Sequence, residues 1–287
     1  MDVAAMASRW RAATAVLVMS VLAAPAWADV VSAPVVTDRT RATLVADDIA
    51  AAPGQSVPVA LRLQLKPGWH TYWRNPGDSG EPASVTLHVL GRDIAGPQQW
   101  PTPERIDIAG IVSYGHHGDV ALVTNVPVPP SARPGTVIDI AADATWLVCE
   151  KVCVPEHGHF TLSLPVTADA KGASTMVDPP LPAAAGLFER TPQAVTVRVP
   201  KSALGDGDGP VREAYLFPER GDLIDHSAPQ VLREQGGDIV LALTAAQVDA
   251  PAPTELRGIL SITRQRPDGK PQDQVFQLTA RPTAAAR

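Results

Sequence analysis

At 287 residues, with 30 acidic and 24 basic side chains and a formal net charge of −6, the chain is mildly acidic and long enough for two cores. Scattered lysines and arginines on that background exclude the basic face that nucleic acid requires, so no nucleic-acid partner is expected. Proline is abundant at 29 residues and aromatics make up 5%, which suits short strands with proline at their ends better than helices.

Arg9 and Arg11 precede an uncharged run from Ala12 to Ala24, and Pro25-Ala26-Trp27-Ala28 forms a small-x-small cleavage site before Asp29. The run is too short to span a bilayer, so residues 1–28 read as a secretory signal removed on export. No later stretch holds eighteen consecutive apolar residues, and the mature chain is expected not to span a membrane. Export places the thiols in an oxidising compartment.

Residues 30–40 read as an extended arm. Val57, Val59, Leu61, Leu63 and Leu65 then alternate with polar or small residues, the pattern of a strand with one buried face. Pro67-Gly68 leads into Trp69-His70-Thr71-Tyr72-Trp73-Arg74, and Asn75 to Gly80 is a dense turn cluster. Val85, Leu87 and Val89 alternate again; Ile106 to Ser113 reads as a loop and Tyr114 to Asp119 as a tight turn before a strand from Val120 to Val126. Strands then lead into and out of Trp146-Leu147-Val148-Cys149-Glu150-Lys151-Val152-Cys153-Val154-Pro155-Glu156, ending near Val166. Ala168 to Pro192 shifts to Ala, Pro and small polar residues, a linker or a short helix over 183–190, and marks the domain boundary. Short strands return at 194–199, 213–217, 238–243, 256–263 and 274–278, spaced as in a second β-sandwich.

The chain has two cysteines, Cys149 and Cys153, at the tip of the expected hairpin. Residues directly opposed in an antiparallel ladder have α-carbons roughly 4.5–5.5 Å apart, within reach of a disulfide. So short a loop removes little entropy from the unfolded chain, which weakens the reading of a static staple and favours a bridge that opens and closes; residues alone leave both open. Lys151, between the cysteines, would stabilise a thiolate, and Glu150 and Glu156 would oppose it. Cys149, Cys153, His157 and His159 lie within eleven residues and form a minority candidate for copper or zinc. Asp206-Gly207-Asp208-Gly209 hints at calcium but lacks the other oxygen ligands, and reads as a turn. There is no Gly-x-Ser-x-Gly elbow, phosphate loop or His-Glu-x-x-His helix, so hydrolase chemistry has no residue support.

Three blocks carry a family resemblance: Pro67 to Gly80, Tyr114-Gly115-His116 with the strand after it, and Trp146 to Glu156. Together they resemble the N-terminal periplasmic domain of the thiol:disulfide interchange protein DsbD family, and more closely its ScsB-like members. The resemblance implies an all-β chain of two immunoglobulin-like β-sandwich domains: a redox domain over 29–167, a linker over 168–191 and a second sandwich over 192–287. It implies a periplasmic thiol–disulfide oxidoreductase component that needs no cofactor. The component would take electrons from a membrane-embedded donor protein and pass them to periplasmic thioredoxin-fold or cytochrome c maturation partners. Cys149 and Cys153 would be the redox pair, with Cys153 joined to the target. Tyr72 and Trp69 would sit beside the pair, and the loop before Tyr114 would cap it. The cysteines stand closer together than in the family's best-known members. The membrane and thioredoxin-like domains that follow in the family are not in these residues, which puts them on a separate polypeptide or limits the chain to part of the relay. The rival reading is a non-enzymatic copper-handling or docking sandwich with a structural disulfide.

Overall fold

The computed structural model describes residues 30–96, 99–169, 179–205, 207, 209–247 and 253–283. The secretory-signal residues 1–28, much of the expected linker, and Asp206 and Asp208 of the calcium hint lie outside the described residues. The strands are β1 (Val30–Val31), β2 (Val35–Val36), β3 (Thr40–Ala46), β4 (Ser56–Leu65), β5 (His70–Gly77), β6 (Ser84–Val89), β7 (Arg92–Gly96), β8 (Glu104–Ile108), β9 (Ile111–His117) and β10 (Asp119–Pro127). They continue as β11 (Val137–Cys149), β12 (Cys153–Pro165), β13 (Ala183–Arg190), β14 (Ala194–Pro200), β15 (Val211–Pro218), β16 (Val231–Gln235), β17 (Asp238–Thr244), β18 (Leu256–Gln265) and β19 (Pro271–Pro282). One 3-10 turn, Lys201–Leu204, follows β14, and among the described residues no helix is long and apolar enough to cross a membrane.

The first module is an immunoglobulin-like sandwich of antiparallel strands. One sheet runs β1-β3-β4-β10 with β2 also on β3, and the other runs β7-β6-β11-β5-β9-β8 with β12 on β11. Alternation builds its core directly. Val57, Val59, Leu61 and Leu63 of β4 face Ile138, Ile140, Ala142, Ala144 and Trp146 of β11 and Phe160, Leu162 and Leu164 of β12, all buried. Each such large aliphatic side chain contributes roughly 1.5–3 kcal/mol on burial. The second module has its own core, including Val195, Val197, Leu241, Leu260 and Phe276. Its sheet runs continuously β15-β18-β19-β13-β14-β17-β16 and curls until its ends approach. Gln230, just before β16, accepts from the Leu216 amide of β15 and donates to the Leu216 carbonyl.

Three expectations are corrected. Residues 106–113 are not a loop but the two strands β8 and β9, joined at Ala109-Gly110 with both residues in the left-handed region (φ 55° and 87°). That is the geometry of a two-residue hairpin turn, and Ala is not a residue the turn normally advertises. Tyr114 to His117 are strand as well, and the chain reverses at Gly118. Residues 183–190 are neither linker nor helix but β13, antiparallel to β14 and parallel to β19. Burial of Ala184 and Phe188 outweighs the helical propensity of the alanines.

The two modules touch. Trp73, Val112 and Tyr114 pack with Phe217 and Ile259. Tyr114 Oη lies 3.2 Å from Tyr215 Oη and 3.1 Å from His226 Nδ1. The Asn75 amide donates to the Pro218 carbonyl at 2.7 Å, and Arg74 pairs with Glu219 at 3.3 Å.

Candidate functional site

β11 and β12 pair over thirteen residues each, and their last pair is Cys149 with Cys153. The α-carbons are 4.2 Å apart and the sulfurs are joined in a disulfide. The two ends differ in exposure: Cys149 is 3% exposed and Cys153 is exposed, as is its neighbour Val152. The Cys153 end of the bridge is therefore the one open to solvent, and the Cys149 end is enclosed by the protein.

What covers Cys149 comes from β5. Cys149 is the cross-strand neighbour of His70, and two residues on Tyr72 lies on the same side of the strand. Tyr72, 1% exposed, donates from its hydroxyl to Cys149 Sγ at 2.8 Å and stands 3.3 Å from Cys153 Sγ. Burial pushes the Tyr72 phenol up, so it remains a proton donor. The turn after β5 closes over the ring. Gly80 (φ 95°) sits so near the Tyr72 ring edge that a methyl group there would overlap it, and Ser79 Oγ meets Ser113 Oγ of β9 at 3.2 Å. The His70 ring is 5.4 Å from the Tyr72 ring, edge to face, and 5.7 Å from the His117 ring of β9. Burial, and then His117, hold the His70 imidazole below its usual range.

The residues expected at the site divide. Tyr72 lies against both sulfurs, and Lys151 is exposed at the tip between them. Trp69 is half-buried against the first core, with the Arg39 guanidinium 5.6 Å over its ring. Tyr114 points to the face opposite Tyr72, because Tyr72 is paired with its neighbour Gly115, and it is buried in the contact between modules. The cover over the site is thus the Gly77–Gly80 turn, and the segment before Tyr114 is a hairpin strand.

Glu156 does not oppose a thiolate at the tip. It turns inward on the other face of the hairpin, 6% exposed, and accepts from Thr37 Oγ1 (2.8 Å), Arg39 Nε (2.9 Å) and Trp146 Nε1 (3.0 Å). The minority copper or zinc set is not assembled. His157 and His159 continue an extended strand about 13 and 20 Å beyond Cys153, and His159 is hydrogen-bonded to Asp143 at 2.8 Å. Among the described residues no group of three or more His, Cys, Asp or Glu side chains is arranged to hold a metal ion. Sequence reasoning missed His70, Ser79 and Gly80 as neighbours of the site. The one available signal was that all three fall inside the Pro67–Gly80 block.

The sequence profile of the family described as "Thiol:disulfide interchange protein DsbD, N-terminal" matches residues 41–165, which carry the disulfide and all of the first module's strands except β1, β2 and the first residue of β3. Residues 41–165 form a DsbD N-terminal-like domain. The fold agrees: the chain is similar to the crystal structure of the N-terminal periplasmic domain of ScsB from Proteus mirabilis, with TM-score 0.57 and 19% identity over 88% of this chain and 100% of that one. That likeness reaches past the DsbD N-terminal-like domain into the second module. A Bacteroides ovatus mixed-linkage glucan utilization protein, SGBP-B, aligns over 90% of this chain and 48% of that one at 14% identity, with a TM-score of 0.20. No curated protein matches the chain.

Proposed function

We propose that the chain is a periplasmic thiol–disulfide interchange component whose working bond is Cys149–Cys153. The observation that carries this reading is the asymmetry of the bridge. One sulfur is open to solvent, and the other is buried with a phenol hydroxyl 2.8 Å away, placed to stabilise it as a leaving thiolate. A bridge that only fastened a hairpin of two thirteen-residue strands would gain little from such a neighbour.

In the forward direction a partner thiolate attacks Cys153 Sγ, forming a mixed disulfide and releasing Cys149 as a thiolate beside Tyr72. The partner's second thiol then attacks its own sulfur in the mixed disulfide and frees Cys153. The partner leaves oxidised and the pair is left as two thiols. Run in reverse, the reduced pair delivers two electrons to a target disulfide. The DsbD N-terminal-like domain supports thioredoxin-fold or cytochrome c maturation proteins as targets and a membrane-embedded protein as donor. We divide the chain at residues 168–182, counting β13 with the second module.

In a glutathione or dithiothreitol redox buffer the pair should equilibrate while the far-ultraviolet circular dichroism of the fold persists. A bridge that stays oxidised at potentials below about −300 mV is structural. A Cys149→Ser variant should trap partners through Cys153, and Cys153→Ser should trap none. Interchange with partner proteins that survives in Cys153→Ser refutes the reading.

A further inference from the structure

When the bridge opens, a negative charge appears on a sulfur that is 3% exposed. An uncompensated buried thiolate is costly, and Tyr72 supplies one neutral donor. The groups facing this position are few. His70 and Tyr72 come from β5 and Cys149 from β11. His117 comes from β9, with its Nδ1 held 3.0 Å from Glu104 of β8. Glu150, at the tip, reaches back toward Gly68, where an added methyl would lie 3.2 Å from its carboxylate. Lys151 is exposed at the tip between the two sulfurs, whereas Arg39, over Trp69, is bonded to Glu156 on the other face of the hairpin. Of these, His70 is buried (3% exposed), cross-strand from Cys149, and in edge contact with the ring of the tyrosine bonded to that sulfur. Paired side chains in such a ladder stand about 5 Å apart at their β-carbons.

We propose that His70 takes up the proton released when a thiol opens the bridge, and that the opened state is a Cys149 thiolate balanced by a His70 imidazolium. This rests on the interchange reading above. The step balances: a partner thiol and the neutral imidazole react with the disulfide to give the mixed disulfide at Cys153, the Cys149 thiolate and the imidazolium. The S–S bond breaks, a new one forms to the partner, and the partner's proton ends on His70. Reversal returns the proton to the departing thiol.

The closed state is suited to this. Burial and the neighbouring His117 favour the neutral imidazole, the form that can take up a proton. Opening the bridge reverses the local field, because an adjacent anion favours the charged ring. His70 thus changes protonation with the redox state of the pair. His117 is exposed, and its Nδ1 is hydrogen-bonded to Glu104.

The test is a nuclear magnetic resonance titration of the His70 ring in the unmodified chain, oxidised and then reduced with dithiothreitol. It is joined to stopped-flow exchange with dithiothreitol from pH 5 to 9 for wild type, His70→Phe and His70→Gln. His70 should titrate at least about one pH unit higher in the reduced protein. An opposite charge at this distance lowers a thiol pKa by about one to three units, and roughly half of that appears in the rate. Both variants should therefore exchange about tenfold more slowly at pH 7 and lose the inflection in the pH–rate profile. Identical His70 titrations in the two redox states, or wild-type rates in both variants, overturn the inference while interchange stands. A wild type that fails to exchange at every pH removes the interchange reading, and this inference falls with it.

Discussion

Replacing Tyr72 with Phe removes one oxygen and leaves the ring that fills the space under the Gly77–Gly80 turn. In the closed state that oxygen donates at 2.8 Å to a neutral sulfur, a weak acceptor, so the oxidised fold should lose less than about 1 kcal/mol. The opened state differs. Against a thiolate the same donor makes a charge-assisted bond worth about 1.5–3 kcal/mol, or roughly 10- to 100-fold in the acidity of Cys149. With a rate sensitivity near one half to thiol acidity, attack at Cys153 should slow by about 3- to 10-fold. The thiolate absorbance at 240 nm during acid titration reads the first effect, and stopped-flow exchange with dithiothreitol reads the second. A Tyr72→Phe protein with an unchanged midpoint of unfolding, an unchanged Cys149 pKa and an unchanged rate would show that the hydroxyl merely fills space, and the reasoning about the leaving sulfur would be wrong.

Gly80→Ala places a methyl against the Tyr72 ring edge in a backbone conformation (φ 95°) that costs a side chain about 1–3 kcal/mol. Urea unfolding should register at least that loss, and the displaced phenol should reproduce the slow exchange of Tyr72→Phe. Glu156→Ala strands Arg39, Thr37 and the Trp146 indole together. The loss should be roughly 2–3 kcal/mol, below the 3–5 of a fully buried pair because Arg39 retains 28% exposure, with the exchange rate little changed. Burial pushes His116 down from 6.5 to about 4, and its buried Nε2 has no hydrogen-bond partner among the described residues. The unfolded chain therefore binds this proton first as pH falls. Stability is full above pH 6.5 and declines toward pH 4 by roughly 3 kcal/mol. Urea unfolding at pH 7.5 and 4.5 measures the decline, and His116→Leu should flatten it.

The strands with one buried face were legible wherever alternation was clean, as in β4, β10, β11 and β12, and so was the hairpin that sets the cysteines opposite each other. Hairpins closed by Leu90-Gly91 and Ala109-Gly110 were not, because left-handed Leu (φ 49°) and Ala (φ 55°) occupy turn positions normally filled by Asn, Asp or Gly. β13 hid behind alanines whose strand conformation is imposed by partners nearly a hundred residues away in β19. At the site, Tyr72 was reached through resemblance, whereas His70 was not singled out. Its relation to Cys149 is a register between the start of β5 and the end of β11, and no local pattern encodes a pairing across 79 positions. Glu156 was misjudged for the same reason, since Thr37 and Arg39 answer its charge from the far end of the sandwich sequence.

β5 is a single rod held at both ends. Its first residues lie under the sulfurs, and three residues past Tyr72 the Asn75 amide is fastened to the Pro218 carbonyl, with Arg74 beside Glu219. The smallest piece able to keep the phenol in register is thus larger than the stretch its family profile marks out. A fragment trimmed to 41–165 would retain its sandwich yet lose the anchorage behind the tyrosine.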